Sequence, residues 1–141
     1  MKLLIALETT EHDDVVGGPA AELARSANAD VVLLNVVNPL TDAADIVAPS
    51  RSEALQTVRG QRVAYLEGFA ARFDGARVRV EELKHGEDVP GCIARVVQEE
   101  QADILVIATN RAAGVRGLIL GSVAQHLLRI SPCPILIVRV E

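Results

Sequence analysis

The sequence predicts an α/β fold, a doubly wound parallel sheet of five strands with four helices. Five short apolar runs alternate along the chain with segments of helical periodicity. Half of the residues are hydrophobic but only 2% are aromatic, so the core must consist mainly of aliphatic side chains. Short, continuous, β-branched runs are typical of strands covered by helices on both faces. Regular alternation of strands and helices predicts right-handed crossovers and a parallel sheet.

The five strands are predicted at the apolar runs. Four runs are nearly continuous, and Asn35 is the polar interruption of the second. The third run alternates between polar and apolar residues, which favours a position nearer an edge of the sheet. The predicted strands cover residues 3–7, 31–37, 78–83, 104–108 and 135–140.

Helix boundaries are predicted from capping residues and breakers. Pro19 is expected at the first position of the first helix, where its missing N–H costs nothing. The stretch from Ser50 to Glu53 fits a capping box for the second helix, and Gly75 follows as its stop signal. A third helix is expected from Val89, and a fourth from Ser122.

Size and charge narrow the class of protein. The chain of 141 residues fits one domain, residues 1–141. Its net charge of -5 argues against a nucleic-acid partner, which requires clustered positive charge. No apolar run approaches the roughly 20 residues that span a bilayer, so no membrane association is predicted. Cys92 and Cys133 are too far apart to form a metal motif, and a reducing cytoplasm is expected.

Metal binding and catalysis find little support in the sequence. His12, His85 and His126 lack both metal-ligand spacing and neighbouring cysteines, so no metal site is predicted. The stretch from His12 to Asp14 is interpreted as a solvated turn or a helix start. No segment combines a nucleophile, a base and an oxyanion site, so no catalytic residue is predicted and the protein is not expected to be an enzyme.

Ligands of open α/β sheets bind beyond the carboxyl ends of the strands, where the strand order switches. The strongest expectation is a site where the first and fourth strands end. The irregular segment from Pro39 to Pro49 is either a flap beside that site or a disordered loop. The segments at the carboxyl ends of the predicted strands, where a ligand is expected, are residues 8–10, 36–38, 85–87 and 108–111.

A helix start follows the fourth strand at Gly121 and Ser122. Such a start offers free backbone N–H groups, a hydroxyl group and the positive end of the helix dipole, and this combination suits a phosphate group. The alternative is that Ser122 is only the N-cap of the helix and Gly121 only a tight entry. Spacing alone leaves both interpretations open.

Several motifs resemble the universal stress protein family. They include LILGSVAQ and SPCPILIV near the end of the chain, KLLIALETTEH at its start and VVLLNVVNP at the second strand. The segment HGEDVPGCIARVVQEEQADILVIAT resembles the family's third helix and fourth strand. The likeness covers nearly the whole chain and is weakest over residues 42–76. It implies a Rossmann-like parallel sheet of five strands and, usually, a dimer.

The resemblance extends in part to the family's phosphate-binding loop. Nucleotide-binding members carry Gly-x-x-Gly, nine residues, and then Gly-Ser or Gly-Thr. Gly121 and Ser122 match the second half, whereas Ala108 and Arg111 stand where two glycines would be. Arginine is strained wherever φ must be positive, although its guanidinium group can grip a phosphate.

At the nucleoside end of the predicted site, the residues again match those of the family only in part. Glu8 replaces the aspartate that holds adenosine in the family, and it either still accepts from a ribose hydroxyl or occludes the pocket. Val36 matches the position beside adenine. The resemblance therefore predicts binding of ATP or AMP, with Mg²⁺ only alongside ATP. The residues predicted to bind nucleotide are Glu8, Thr9, Val36, Ala108, Thr109, Asn110, Arg111, Gly121, Ser122 and Val123.

Three function classes remain open from the sequence, the third of which is an enzyme on the same fold. The first is an adenine-nucleotide-associated binding module that acts as a homodimer in stress response, with at most slow hydrolysis. The second is a nucleotide-free dimeric interaction or regulatory protein whose pocket has lapsed through the changes at Glu8, Ala108 and Arg111. In the first two, the last strand, Ile135–Val140, is expected to pair with its twin, as the resemblance implies. The alternative is that this strand is simply covered by helices.

Overall fold

A computed structural model describes residues 1–110 and 121–140, with only the backbone of Asn110. The order of elements confirms the predicted alternation of strands and helices. Each observed strand lies within two residues of its predicted bounds. The elements are β1 Lys2–Ala6, α1 His12–Ala27, β2 Asp30–Val37, α2 Arg51–Ala70, β3 Arg77–Glu82, α3 Val89–Glu100, β4 Ile104–Asn110, α4 Ser122–Ile130 and β5 Ile135–Val140.

The five strands form one parallel sheet in the order β3-β2-β1-β4-β5. This order confirms the doubly wound fold, and it places β3 at an edge as its alternating pattern indicates. The chain winds from β1 outward to β3 and then crosses to β4 on the other side of β1. The strand order therefore switches between β1 and β4.

Two hydrophobic cores cover the two faces of the sheet. Because side chains alternate along a strand, Leu3 and Ile5 belong to one core and Leu4 to the other. All three are fully buried. Helices α1 and α2 contribute Val16 and Leu66 to the first core, and α3 and α4 cover the second.

The prediction for Pro19 is wrong. Helix α1 begins at His12, so Pro19 lies inside it. Proline in a helix interior costs one backbone hydrogen bond and crowds the preceding turn. The apolar side of α1, with Val16 and Ala20 fully buried, continues through the proline, which itself stays exposed. Burial of that side favours one continuous helix.

Helix α2 begins as predicted. The Ser50 side chain accepts a hydrogen bond of 3.2 Å from the backbone N–H of Glu53. In α3, Asp88 has the same role and accepts from the N–H of Gly91 at 2.8 Å. Among the helices of the described ranges, none is long and apolar enough to cross a bilayer.

Candidate functional site

A cleft of about 400 Å³ opens at the carboxyl ends of β1, β2 and β4. It lies at the switch in strand order, where α/β sheets place their ligands. Its volume falls within the roughly 300–1,000 Å³ of small-molecule sites. Most of its apolar lining comes from strand residues that face α3 and α4 and from those two helices, namely Ala6, Leu34, Val36, Ile107, Val89, Ile93 and Ala124.

The N-terminus of α4 forms one end of the cleft. Gly121 is the N-cap residue, with extended backbone, and Ser122 is the first helical residue. The alternative in which Ser122 is the N-cap is therefore wrong. No side chain caps this helix within the described ranges, so its first-turn N–H groups and dipole can serve an anion. Within the described ranges, the Gly121 N–H makes a long contact, 3.5 Å, with Oγ1 of buried Thr109.

Strand β4 is two residues longer than predicted. Thr109 and Asn110 continue the ladder and pair with Arg139 and Val140 of β5. Ala108 therefore lies in ordinary strand rather than in a glycine-rich loop. Its methyl group lines the cleft and requires no unusual backbone.

The turn after β1 is held by the buried carboxylate of Asp13. This carboxylate accepts hydrogen bonds from the backbone N–H groups of Glu8 at 2.9 Å and Thr9 at 2.8 Å. Thr9 has φ of 60°, uncommon for a β-branched residue, and its hydroxyl donates to the carbonyl of Glu8. Asp13 is 1% exposed, so the interpretation as a solvated turn is wrong and the alternative of a helix start is right.

Tyr65 of α2 completes this arrangement. Its hydroxyl donates to Oδ2 of Asp13 at 2.6 Å. Burial, together with this hydrogen bond and the charge of Asp13, raises the pKa of Tyr65 well above its usual value. The turn after β1 is thus tied to α2.

The Glu8 side chain leaves the cleft open. It is 54% exposed, and Oε2 lies 3.8 Å from Nδ1 of His12. Glu8 contributes to the rim of the cleft without filling it. The occluded arrangement that its extra methylene allows is not the one observed.

A chain of polar contacts crosses the rim between the sheet and α2. Asn35 is 3% exposed; its Nδ2 donates to the carbonyl of Leu7 at 2.8 Å and its Oδ1 accepts from Nη1 of Arg62 at 2.6 Å. Nη2 of Arg62 lies 3.3 Å from Oδ2 of Asp42, which also accepts from the backbone N–H of Asn38. Leu7, Asn35, Arg62 and Asp42 all line the cleft.

The segment from Pro39 to Pro49 lies beside the cleft. Asp42 lines the cleft, and the neighbouring Ala43 is buried in the core. Leu40 and Val47 of the same segment are exposed. Of the two interpretations of this segment, the structure favours a flap next to the site.

Most of the residues that the sequence predicts to bind nucleotide lie together around the cleft. Thr9 does not line the cleft and faces the groove between α1 and α2 instead. Asn110 ends β4, and its side chain, like the whole of Arg111, lies outside the described residues. As nucleotide-binding residues, all ten stay predictions. Those that line the cleft are Glu8, Val36, Ala108, Thr109, Gly121, Ser122 and Val123.

Sequence reasoning missed the polar contacts at the rim. Asn35 left a signal, because it interrupts an otherwise apolar strand, and a buried amide needs partners. Arg62 left none, since it is one of several arginines on a long helix. Asp42 falls where the family resemblance is weakest.

In the described part of the chain, no histidine belongs to a group of three or more potential metal ligands. His126 of α4 lies with Nδ1 3.4 Å from Oδ2 of Asp88, the N-cap of α3. This contact joins the two helices that flank the cleft.

Comparison with known proteins places the chain among universal stress proteins. Residues 1–139 match the family model described as "Universal stress protein family". A universal stress protein of Thermus aquaticus is 26% identical over 97% of both chains. The crystal structure of a member of that family from Burkholderia pseudomallei is also 26% identical, covers 96% of this chain and 93% of its own, and has a TM-score of 0.70.

Two structural neighbours were solved with adenine nucleotides. A universal stress protein in complex with cAMP is 20% identical, with coverage of 100% and 98% and a TM-score of 0.61. The universal stress protein from Archaeoglobus fulgidus in complex with dAMP is 19% identical, with coverage of 98% and 97% and a TM-score of 0.58. At these identities the likeness shows a shared fold.

Proposed function

Because the chain belongs to the universal stress protein family, we propose that it is a binding module for adenine nucleotides that acts as a homodimer in stress response. One observation carries the ligand class: an apolar cleft at the switch point ends at a helix N-terminus that no side chain of the described residues caps. The apolar part suits a purine base, and the helix end suits a phosphate. Complexes of fold neighbours with cAMP and dAMP support the same class.

The orientation follows from the two ends of the cleft. The base lies on the apolar surface that includes Val36, and the phosphate lies at Gly121 and Ser122. The sugar then lies near the rim, between them. Thr109, which ends the part of β4 that lines the cleft and accepts from the Gly121 N–H, lies at this phosphate end.

Calorimetric titration with ATP, ADP and AMP tests the proposal. Val36→Trp fills the apolar part of the cleft and should abolish binding. Val47→Trp is the matched control, because Val47 is fully exposed in the adjacent segment, and it should bind as the unchanged protein does. Circular dichroism establishes that both variants fold. No heat with any nucleotide at millimolar concentration would contradict the proposal and favour the nucleotide-free interaction protein.

We further propose that bound nucleotide is not turned over efficiently. Of the two carboxylates that line the rim in the described part of the chain, Asp42 is paired with Arg62, and Glu8 faces His12. Mg²⁺ would enter only with ATP, bound through its phosphates. Phosphate release measured over many hours should stay near background. Rapid, repeated turnover that is lost on replacing Glu8 would contradict this point.

The proposed dimer forms through β5. This strand is at an edge of the sheet, where unpaired backbone groups invite another strand, and Ile135, Leu136 and Ile137 are only half-buried. Light scattering after gel filtration should give twice the chain mass. Ile137→Lys should yield monomer, whereas Val47→Lys should not. A monomeric parent protein would contradict the proposal.

The proposed location is the cytoplasm. Cys92 and Cys133 are both free thiols, which fits a reducing compartment. Fractionation of cells, with immunodetection of the chain, tests this.

A further inference from the structure

We propose that Asp42, positioned by Arg62, reads the sugar hydroxyls of the bound nucleotide and makes the cleft selective for ribonucleotides over deoxyribonucleotides. The inference rests on the proposed function. It assigns a specificity-determining role to a carboxylate that the sequence analysis did not single out. Two carboxylates line the rim, Glu8 and Asp42, and the structure holds them very differently.

Asp42 is fixed in place. Its Oδ2 accepts from the backbone N–H of Asn38 at 2.9 Å and lies 3.3 Å from Nη2 of Arg62. Its Oδ1 accepts from the hydroxyl of Thr41 at 3.2 Å. Glu8, in contrast, is more than half exposed, and its carboxylate lies 3.8 Å from Nδ1 of His12. An acceptor that is already oriented loses less conformational entropy on binding.

The anchor of Asp42 reaches the centre of the sheet. Arg62 is bound to Asn35, which is itself buried and bound to the carbonyl of Leu7. The guanidinium group therefore holds Asp42 in a constant position relative to β1 and β2. Arg62 acts as a positioning residue for Asp42.

The chemistry of Asp42 limits what it can recognise. An ionised carboxylate only accepts hydrogen bonds, and its two oxygens offer about four sites. The two hydrogen bonds and the ion pair described above use at most three of them, so a ligand donor can still bind. A phosphate oxygen is no donor, and it is expected at the opposite feature of the cleft, the N-terminus of α4. In an adenine nucleotide the remaining donors are the sugar hydroxyls and the base amino group.

The position of Asp42 favours the sugar. Asp42 belongs to the polar rim with Glu8, Asn35 and Arg62, whereas the apolar surface takes the base. The sugar connects the base to the phosphate and carries its hydroxyls on one edge. A charge-assisted hydrogen bond to such a hydroxyl should change affinity by about tenfold.

The test compares AMP with its 2′-deoxy and 3′-deoxy analogues and with inosine monophosphate, which lacks the amino group. The unchanged protein should bind AMP about tenfold more tightly than at least one deoxy analogue. Asp42→Ala and Arg62→Ala should bring that ratio close to one, and Asp42→Asn should give an intermediate ratio. Asp45→Ala, an exposed change in the same segment, should leave it intact.

Each contrary result has a distinct meaning. If AMP binds but Asp42→Ala keeps the full preference over deoxy analogues, the inference is overturned, and loss of the preference in Glu8→Ala would assign the role to Glu8. If Asp42→Ala alters only the preference for AMP over inosine monophosphate, Asp42 reads the base and the inference is also overturned. If no adenine nucleotide binds the unchanged protein, the proposed function fails and the inference falls with it.

Discussion

Oδ1 of Asn35 accepts a hydrogen bond of 2.6 Å from Nη1 of Arg62, and this contact joins strand β2 to helix α2. Because Asn35 is buried, its amide must find partners within the protein. It finds them in Arg62 and in the carbonyl of Leu7. The rim of the cleft is therefore anchored to buried residues of the sheet. A change that disturbs this anchor should alter both the stability of the protein and the shape of the rim.

Replacing Asn35 should show that the contributions of Asn35 and Arg62 to stability are coupled. Asn35→Ala leaves the Leu7 carbonyl and an Arg62 N–H group without partners, and should lower the free energy of unfolding by about 2 kcal/mol. A double-mutant cycle with Arg62→Ala, followed by urea denaturation, should give a coupling energy of about 1–2 kcal/mol. The same cycle with Arg25→Ala, an exposed change on α1, should be additive. Additivity in both cycles would refute the link.

Tyr65 should report on the turn after β1. It is the one tyrosine of the chain, which has no tryptophan, so absorbance at alkaline pH follows its ionisation alone. Asp13→Asn removes the charge that helps to raise the pKa of Tyr65 and should shift its titration to lower pH. Asp14→Asn, which acts only through space, should shift it less. Equal titrations in all three proteins would show that Asp13 does not hold Tyr65.

The raised pKa of Tyr65 has a consequence for alkaline stability. The folded state holds the proton more tightly than the unfolded state, so this contribution is fully present below the unfolded value of about 10. It is lost progressively as the pH rises above that value. Asp13→Asn should therefore flatten the alkaline decline in the free energy of unfolding.

Glu87 should make stability depend on pH at the acid end. Its carboxylate binds Nε of Arg95 at 2.9 Å and Nη2 at 3.1 Å, and this arginine lowers the pKa of Glu87 from 4.5 to about 2. The stabilisation is present above the unfolded pKa and is lost as the pH falls through the folded one. Glu87→Gln should cost about 2 kcal/mol at pH 7.

The difference between Glu87→Gln and the unchanged protein should shrink between pH 4.5 and about 2, the interval that the two pKa values define. Denaturation curves over this range measure it. Glu67→Gln, an exposed change on α2, serves as the matched control and should have little effect at any pH. A constant difference for Glu87→Gln down to the lowest pH would contradict the assignment.

Cys92 should be unreactive in the folded protein. Its side chain is fully buried, and burial, reinforced by the charge of Glu87, raises the pKa of the thiol to about 11. Cys133 is only half-buried. A thiol reagent at neutral pH should titrate one group per native chain and two after denaturation, and Cys133→Ser should remove the fast one. Rapid reaction of both thiols in the native protein would contradict the burial of Cys92.

The strands were predicted closely because each depends on a local pattern. A short aliphatic run is buried wherever the sheet forms. In β3, polar and apolar residues alternate, which indicates a position at an edge of the sheet. Pro19 shows where local signals fail. A proline is a good first residue of a helix, but the burial of Val16 and Ala20 on the same helix depends on a sheet that the local sequence does not display.

By itself, the sequence determined the doubly wound sheet, the edge at which a ligand is expected, and the helix start at Gly121 and Ser122. Only the tertiary structure decided what surrounds that edge. Arg62 is 20 or more residues from Asn35 and Asp42 in the sequence, and these three residues meet because β2 and α2 pack on each other. Buried polar groups form hydrogen bonds with whichever partners the fold brings within about 3 Å. Which groups come that close depends on the tertiary packing and not on the local sequence.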